Sequence, residues 1–127
     1  MKKRTGNVYW ANSQKIDKFD KKDRRQYAVV KDNGKNVGVS KVRGFNDNAK
    51  NNQRLFELDC KKYPLSKRSG VDNKVYTKGA NKKHLRLEDR DIFDSSPAFK
   101  LSSSDTHKVL QHVILRTGKQ HKKRSKF

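Results

Sequence analysis

The chain reads as a small β-rich barrel closed by one C-terminal helix. Three observations predict it. Short runs of β-forming residues separated by turn residues occupy roughly the first sixty percent of the sequence. An Asn33-Gly34 dipeptide sits between two of those runs, a favourable hairpin signal because both residues tolerate positive φ. An apolar repeat of helical spacing appears only after Ser102. A length of 127 residues suits one domain. We read 1–115 as that domain and 116–127 as a frayed basic tail.

Asn7-Val8-Tyr9-Trp10-Ala11 follows Gly6 and is rich in β-formers, so it reads as the first strand. Ile16 to Arg25 is a charged connection with a single Phe19, long enough to read as a mobile loop. Tyr27 to Val30 and Val37 to Val42 form two strands around the Asp32-Asn33-Gly34 turn. Gly44 to Arg54, with five Asn or Asp between 46 and 52, reads as a loop. Arg54 to Cys60 has strand character with Phe56 and Leu58 on one face, and Val71 to Thr77 offers another short strand. Ser102-Ser103-Ser104-Asp105 carries the S-x-x-D form of a capping box. Behind it Val109, Leu110, Val113 and Ile114 share an apolar face, predicting a helix over about 103–115 that ends before Thr117-Gly118.

Charge narrows the function. The chain has 33 Lys and Arg against 13 Asp and Glu, a formal net charge of +20. Such a field attracts nucleic acid, an acidic protein or an anionic membrane. The cations are spread along the whole sequence, with Tyr9, Trp10, Tyr27, Phe45, Phe56, Tyr63 and Tyr76 among them as stacking candidates. No segment pairs a basic face with a continuous apolar one, which disfavours a membrane-surface role. No apolar run is long enough to span a bilayer, and no apolar segment follows the basic Met1-Lys2-Lys3-Arg4, so a cytoplasmic location is expected. With 31% hydrophobic residues, a second copy would help the fold by covering surface.

Recognisable catalytic motifs are absent: no phosphate-binding glycine loop, nucleophile elbow or zinc pattern occurs. The four histidines are scattered on polar sequence and read as ordinary surface residues. Cys60, the single cysteine, reads as a buried structural thiol. Glu88, Asp89, Asp91 and Asp94 read as a salt-bridged turn with Arg86 and Arg90 rather than a metal site. No metal or cofactor is expected. RNA, however, supplies its own nucleophile, the 2′-OH, so cleavage needs only orientation, a proton acceptor and charge stabilisation. Arginine does the last through planar, permanently charged donors. Arg24, Arg25, Ser40 and Arg43 lie in or beside adjoining predicted strands, a placement that suits such a site and equally suits phosphate binding without cleavage.

The order of segments resembles the MazF/PemK family of toxin endoribonucleases. Arg4-Thr5-Gly6-Asn7-Val8-Tyr9-Trp10-Ala11 is similar to the family's R-G-(D/E)-V-Y-x-(A/V) first strand. Arg25-Gln26-Tyr27-Ala28-Val29-Val30-Lys31-Asp32 resembles its R-P-x-L-V-I-x-N-D signature. Glu57-Leu58-Asp59, Ser69 and Lys74-Val75-Tyr76-Thr77 are similar to the later E-I-D…S-V…Q-I-R-T region, and Leu101…Asp105…Val109 to the closing helix entry. Gln26, Arg43 and Tyr76 stand where the family has proline, threonine and arginine. The resemblance implies an SH3-like barrel, a homodimer, metal-independent cleavage of single-stranded RNA, and neutralisation by an antitoxin whose acidic segment fills the RNA groove. It makes Arg25 the catalytic arginine, with Arg43 or Ser40 gripping the scissile phosphate. Arg24, Lys31, Lys41, Lys61 and Thr77 would support RNA binding, and Tyr76 would stack. Two other readings stay open: a silent barrel that binds nucleic acid through the same groove, and a module whose partner is an acidic protein.

Overall fold

The computed structural model describes residues 4–125, with side chains through Ile114. Six strands, β1 (Asn7–Asn12), β2 (Arg24–Asp32), β3 (Val37–Gly44), β4 (Leu55–Leu58), β5 (Ser69–Asp72) and β6 (Phe99–Lys100), form one antiparallel sheet in the order β4-β5-β3-β2-β1-β6. Two helices complete it, α1 (Ala49–Gln53) and α2 (Ser103–Ser125). The sheet curls into a half-barrel: Val8 of β1 and Val71 of β5 join one apolar cluster although two strands separate them in the sheet.

Both faces of the sheet are covered, and the two-residue side-chain period sorts them. Tyr9, Ala11, Tyr27, Val29, Val37 and Val39 face one way and pack under Leu85, Leu87, Ile92 and Phe93. Val8, Ala28, Val30 and Val42 face the other way, against Leu58, Tyr63, Leu101 and the α2 residues Val109 and Val113. The central strands are therefore apolar on successive residues, which explains why Tyr27 to Val30 is a continuous run rather than an alternation.

Several elements depart from the sequence expectation. The β2–β3 turn is a four-residue loop, Asn33 to Asn36, in which only Gly34 takes positive φ (+92°). Asn33 closes it by accepting from the backbone of Lys35 and Asn36, at 3.0 and 2.7 Å. Within the predicted 44–54 loop, Asn48 accepts from the N–H groups of Lys50 and Asn51 and so caps the one-turn helix α1. The predicted Val71 to Thr77 strand is split. β5 starts at Ser69 and stops at Asp72, and Tyr76 then forms an isolated bridge with Val39 of β3. Cys60 is exposed rather than buried, because β4 ends at Leu58 and the chain turns outward. The acidic turn pairs with the opposite end of the sequence: Glu88 with Arg4 at 2.8 Å and Asp94 with Arg24 at 2.9 Å.

Helix α2 begins as its capping residues require. The Asp105 N–H donates to Ser102 Oγ at 3.2 Å. Tyr63 adds a tertiary clamp, its hydroxyl accepting from the Ser102 N–H at 2.9 Å and donating to the Asp105 carboxylate. Val109 and Val113 are buried and Leu110 half-buried, but Ile114 is 65% exposed, so the expected apolar face is only partly used. The helix runs to Ser125, past the expected stop before Thr117-Gly118. One interior glycine costs only about 1 kcal/mol, and the Lys, Gln and Arg that follow favour helix. Side chains of the 116–127 segment lie outside the described residues. Among the described residues no helix is long and apolar enough to cross a membrane.

Gly6 joins the sheet to α2. It has φ +93°, and a Cβ there would lie 2.4 Å from Thr106 Oγ1. Gly34 has the same sign of φ but open space around it. Gly6→Ala is therefore expected to destabilise by about 1–3 kcal/mol, combining backbone strain with displacement of Thr106. Gly34→Ala should cost only the backbone part. Urea unfolding of the two variants with unchanged m-values checks this; equal losses would contradict it.

Candidate nucleic-acid groove

The parity that buries Tyr27 and Val39 also carries Arg25 on β2, and Lys41 and Arg43 on β3, to the same face at one end of the sheet. There they line a groove of about 350 Å³. Tyr76 reaches it from the bridge to Val39, Lys74 and Asp72 from the end of β5, and Arg54 from the residue preceding β4. Asp17, Phe19, Asp20 and Lys21 complete the wall from the β1–β2 connection. Six cations thus face three carboxylates, and the groove is net positive.

The carboxylates are placed with care. Asp20, its side chain 1% exposed, accepts from Arg25 Nε at 2.7 Å and pairs with Lys41 Nζ at 2.8 Å. Asp17 pairs with Lys41 at 3.0 Å and accepts from the Tyr76 hydroxyl at 3.1 Å. Asp72 bridges two guanidiniums, Arg43 at 3.0 Å and Arg54 at 3.3 Å, and accepts from the Lys74 N–H at 2.9 Å. The ammonium groups of Lys74 and Lys41 lie 4.9 and 5.4 Å from the Tyr76 ring centroid. The connection that read as a mobile loop is folded over the groove. Ser13 pins it, its hydroxyl donating to the Lys22 carbonyl and its N–H to the Asp23 carbonyl at 2.9 Å.

These contacts set the charge states. Burial opposes ionisation of Asp20, yet hydrogen bonds from Arg25 and Lys41 hold its carboxyl far below the usual range. Asp17 is lowered in the same way, burial again being outweighed by Lys41. Burial works against the Lys41 ammonium too, but Asp20 and Asp17 raise its pKa. Tyr27 beneath the groove is pushed upward, first by burial and then by the charge of Asp20. Its fully buried hydroxyl has no hydrogen-bond partner among the described residues.

Of the residues singled out from sequence, Arg25, Lys41, Arg43 and Tyr76 converge in this groove. Ser40 does not. It is fully buried on the opposite face of β3, and its hydroxyl donates to the Lys74 carbonyl at 2.8 Å, where the chain steps from β5 to the Tyr76 bridge. Arg24 points to the other side of β2, pairs with Asp94, and lines a separate small cavity. Lys31 and Thr77 border a large cavity between the β2–β3 turn and α2, with Thr106 and Leu110. Lys61 is exposed in the turn after β4. Asp17, Asp20, Asp72, Arg54 and Lys74 were not singled out. The acids carried a weak signal, being rare in a chain with 13 Asp and Glu, but their pairing with distant cations exists only in the fold. Among the described residues no group of three or more His, Cys, Asp or Glu gathers as metal ligands would. Comparison with models of known protein families and with curated proteins returned no match.

Proposed function

We propose that this protein is a metal-independent endoribonuclease acting on single-stranded RNA, of the kind found among MazF/PemK toxins. The observation that carries the reading is the convergence of Arg25, Lys41 and Arg43 with the Tyr76 ring in one groove. In the reaction the 2′-oxygen of a ribose attacks the adjacent phosphorus and the bond from phosphorus to the 5′-oxygen breaks. The products are a 2′,3′-cyclic phosphate and a 5′-hydroxyl. Arg25 and Arg43 stabilise the charge that develops on the phosphate oxygens. Lys41 holds the phosphate, and Tyr76 stacks on a neighbouring base. Asp17, ionised beside Lys41 and more exposed than Asp20, takes the 2′-OH proton, and the departing 5′-oxygen takes a proton from water. On this reading the protein acts in the cytoplasm and is held in check by an antitoxin with an acidic segment, since these cations already donate to carboxylates. Ile114, exposed one turn beyond Leu110 on α2, supports a homodimer.

A second reading has its own observation. Asp17, Asp20 and Asp72 occupy the hydrogen-bonding positions of the groove cations, which favours a protein that binds RNA without cutting it. Incubation with a long single-stranded RNA, with and without EDTA and beside Arg25→Ala, separates the two. EDTA-resistant fragments that vanish in the variant support the nuclease. Intact but bound RNA supports the silent barrel. RNA binding that disappears near physiological salt rejects both and leaves an acidic protein as the partner.

A further inference from the structure

At the same end of the sheet, on the face opposite the groove, lies a smaller cavity of about 280 Å³ that none of the proposed catalytic steps uses, and Arg25 lines both. Its wall is Trp10, 41% exposed although Val8, two residues earlier on the same side of β1, is fully buried. Trp10 faces Gln26 directly across the β1–β2 pair. Lys22, Arg24 and Lys67 stand around them, and no carboxylate is among the lining residues. Lys67 crosses the end of β3 at Gly44, where a Cβ would fall 2.4 Å from its Cε. An indole face, an amide with both donor and acceptor, and a rim of cations make up the chemistry that holds an unpaired base.

We infer that this cavity is a nucleobase subsite. One unpaired base of a single-stranded RNA stacks on Trp10 and presents its edge to the Gln26 amide, and its phosphate passes over Arg25 into the groove. The inference rests on the RNA reading above and adds a base-reading position to it. Charge complementarity and the shared Arg25 select a nucleic-acid strand as the occupant, because the cavity is rimmed by cations without a carboxylate and Arg25 also lines the groove.

Trp10 is the chain's single tryptophan, so its emission reports this cavity alone. The full-length protein is titrated with a fluorescein-labelled single-stranded oligoribonucleotide, followed by anisotropy. Unlabelled RNA of the same length and inorganic polyphosphate are followed by tryptophan emission. The RNA should quench Trp10 and polyphosphate should not. Trp10→Ala should weaken RNA binding by roughly 5- to 150-fold with an unchanged salt slope, since a stacking contact releases no counterions. Trp10→Phe, which keeps a ring and guards against misfolding of the alanine variant, should recover most of the affinity. RNA that binds by anisotropy without changing Trp10 emission, or polyphosphate that quenches equally, overturns the subsite and leaves the RNA reading standing. No anisotropy change with RNA overturns both.

Discussion

Arg25→Ala is expected to slow metal-independent cleavage of single-stranded RNA by roughly 10²- to 10³-fold, the effect of removing one preorganised donor from a developing oxyanion. The guanidinium stands at the start of β2 and is oriented by Asp20 at 2.7 Å, so little reorganisation is needed when a phosphate arrives. The fold should survive, because Lys41 still pairs with Asp20 at 2.8 Å after Arg25 is gone. Arg25→Lys is expected to recover little. It keeps the charge but loses the planar fork that meets two phosphate oxygens at once. Gel-resolved RNA cleavage, with unfolding curves for each variant, measures both halves. A variant that cuts at the wild-type rate would remove Arg25 from the chemistry.

Asp20→Asn is expected to have the largest effect on stability, a loss of about 3 kcal/mol near neutral pH, because it breaks a buried pairing, leaving Arg25 without its carboxylate and Lys41 with Asp17 alone. The loss should depend on pH in a defined direction. The folded-state pKa of Asp20 lies far below its ordinary value of 3.8, so its stabilisation is fully present above about pH 4 and is lost as pH falls below that. The wild-type and variant stabilities should therefore converge on acidification. Asp17, Asp32 and Asp105 are lowered as well and keep some acid sensitivity in the variant. Urea midpoints between pH 7 and pH 2.5 test this, and parallel curves would refute it. The same substitution frees Arg25 for phosphate and leaves Lys41 held only by Asp17, so RNA affinity should rise while stability falls. Each added phosphate contact should steepen the log–log salt slope by about 0.7.

Arg25 and Lys41 show how the candidate site could be read in part from one dimension. Residues of one strand separated by two share a face, and neighbouring strands joined by a short turn bring their faces together. The 27–30 and 37–42 runs around Asn33-Gly34 therefore put Arg25, Lys41 and Arg43 within one region by spacing alone. Ser40 fell to the opposite side by the same parity. Tyr76 and Lys74 entered the groove by another route, through a single bridge between Val39 and Tyr76 in a segment whose strand pattern does not say that it pairs with β3. Arg54 and Asp72 met because β4 pairs with β5, with Leu55 opposite Asp72. Both segments read as strands, but which strand each pairs with has no local sequence signature.

The sequence by itself determined the β-rich class, the 27–42 hairpin, the capped start of α2 and the strongly positive field. Each follows from neighbours along the chain: side-chain alternation, turn chemistry, a serine hydroxyl three residues from the N–H it caps, and summed charge. Tertiary structure decided the six-strand order, the two-residue strand β6, and the carboxylates that hold the groove. An ion pair such as Arg43 with Asp72 spans 29 residues, and its partners are chosen by which strands pair, not by spacing. Burial then decides how strongly such a pair is felt. Asp20 is one acid among 13 in the sequence, and only its enclosure between Arg25 and Lys41 distinguishes it from the rest.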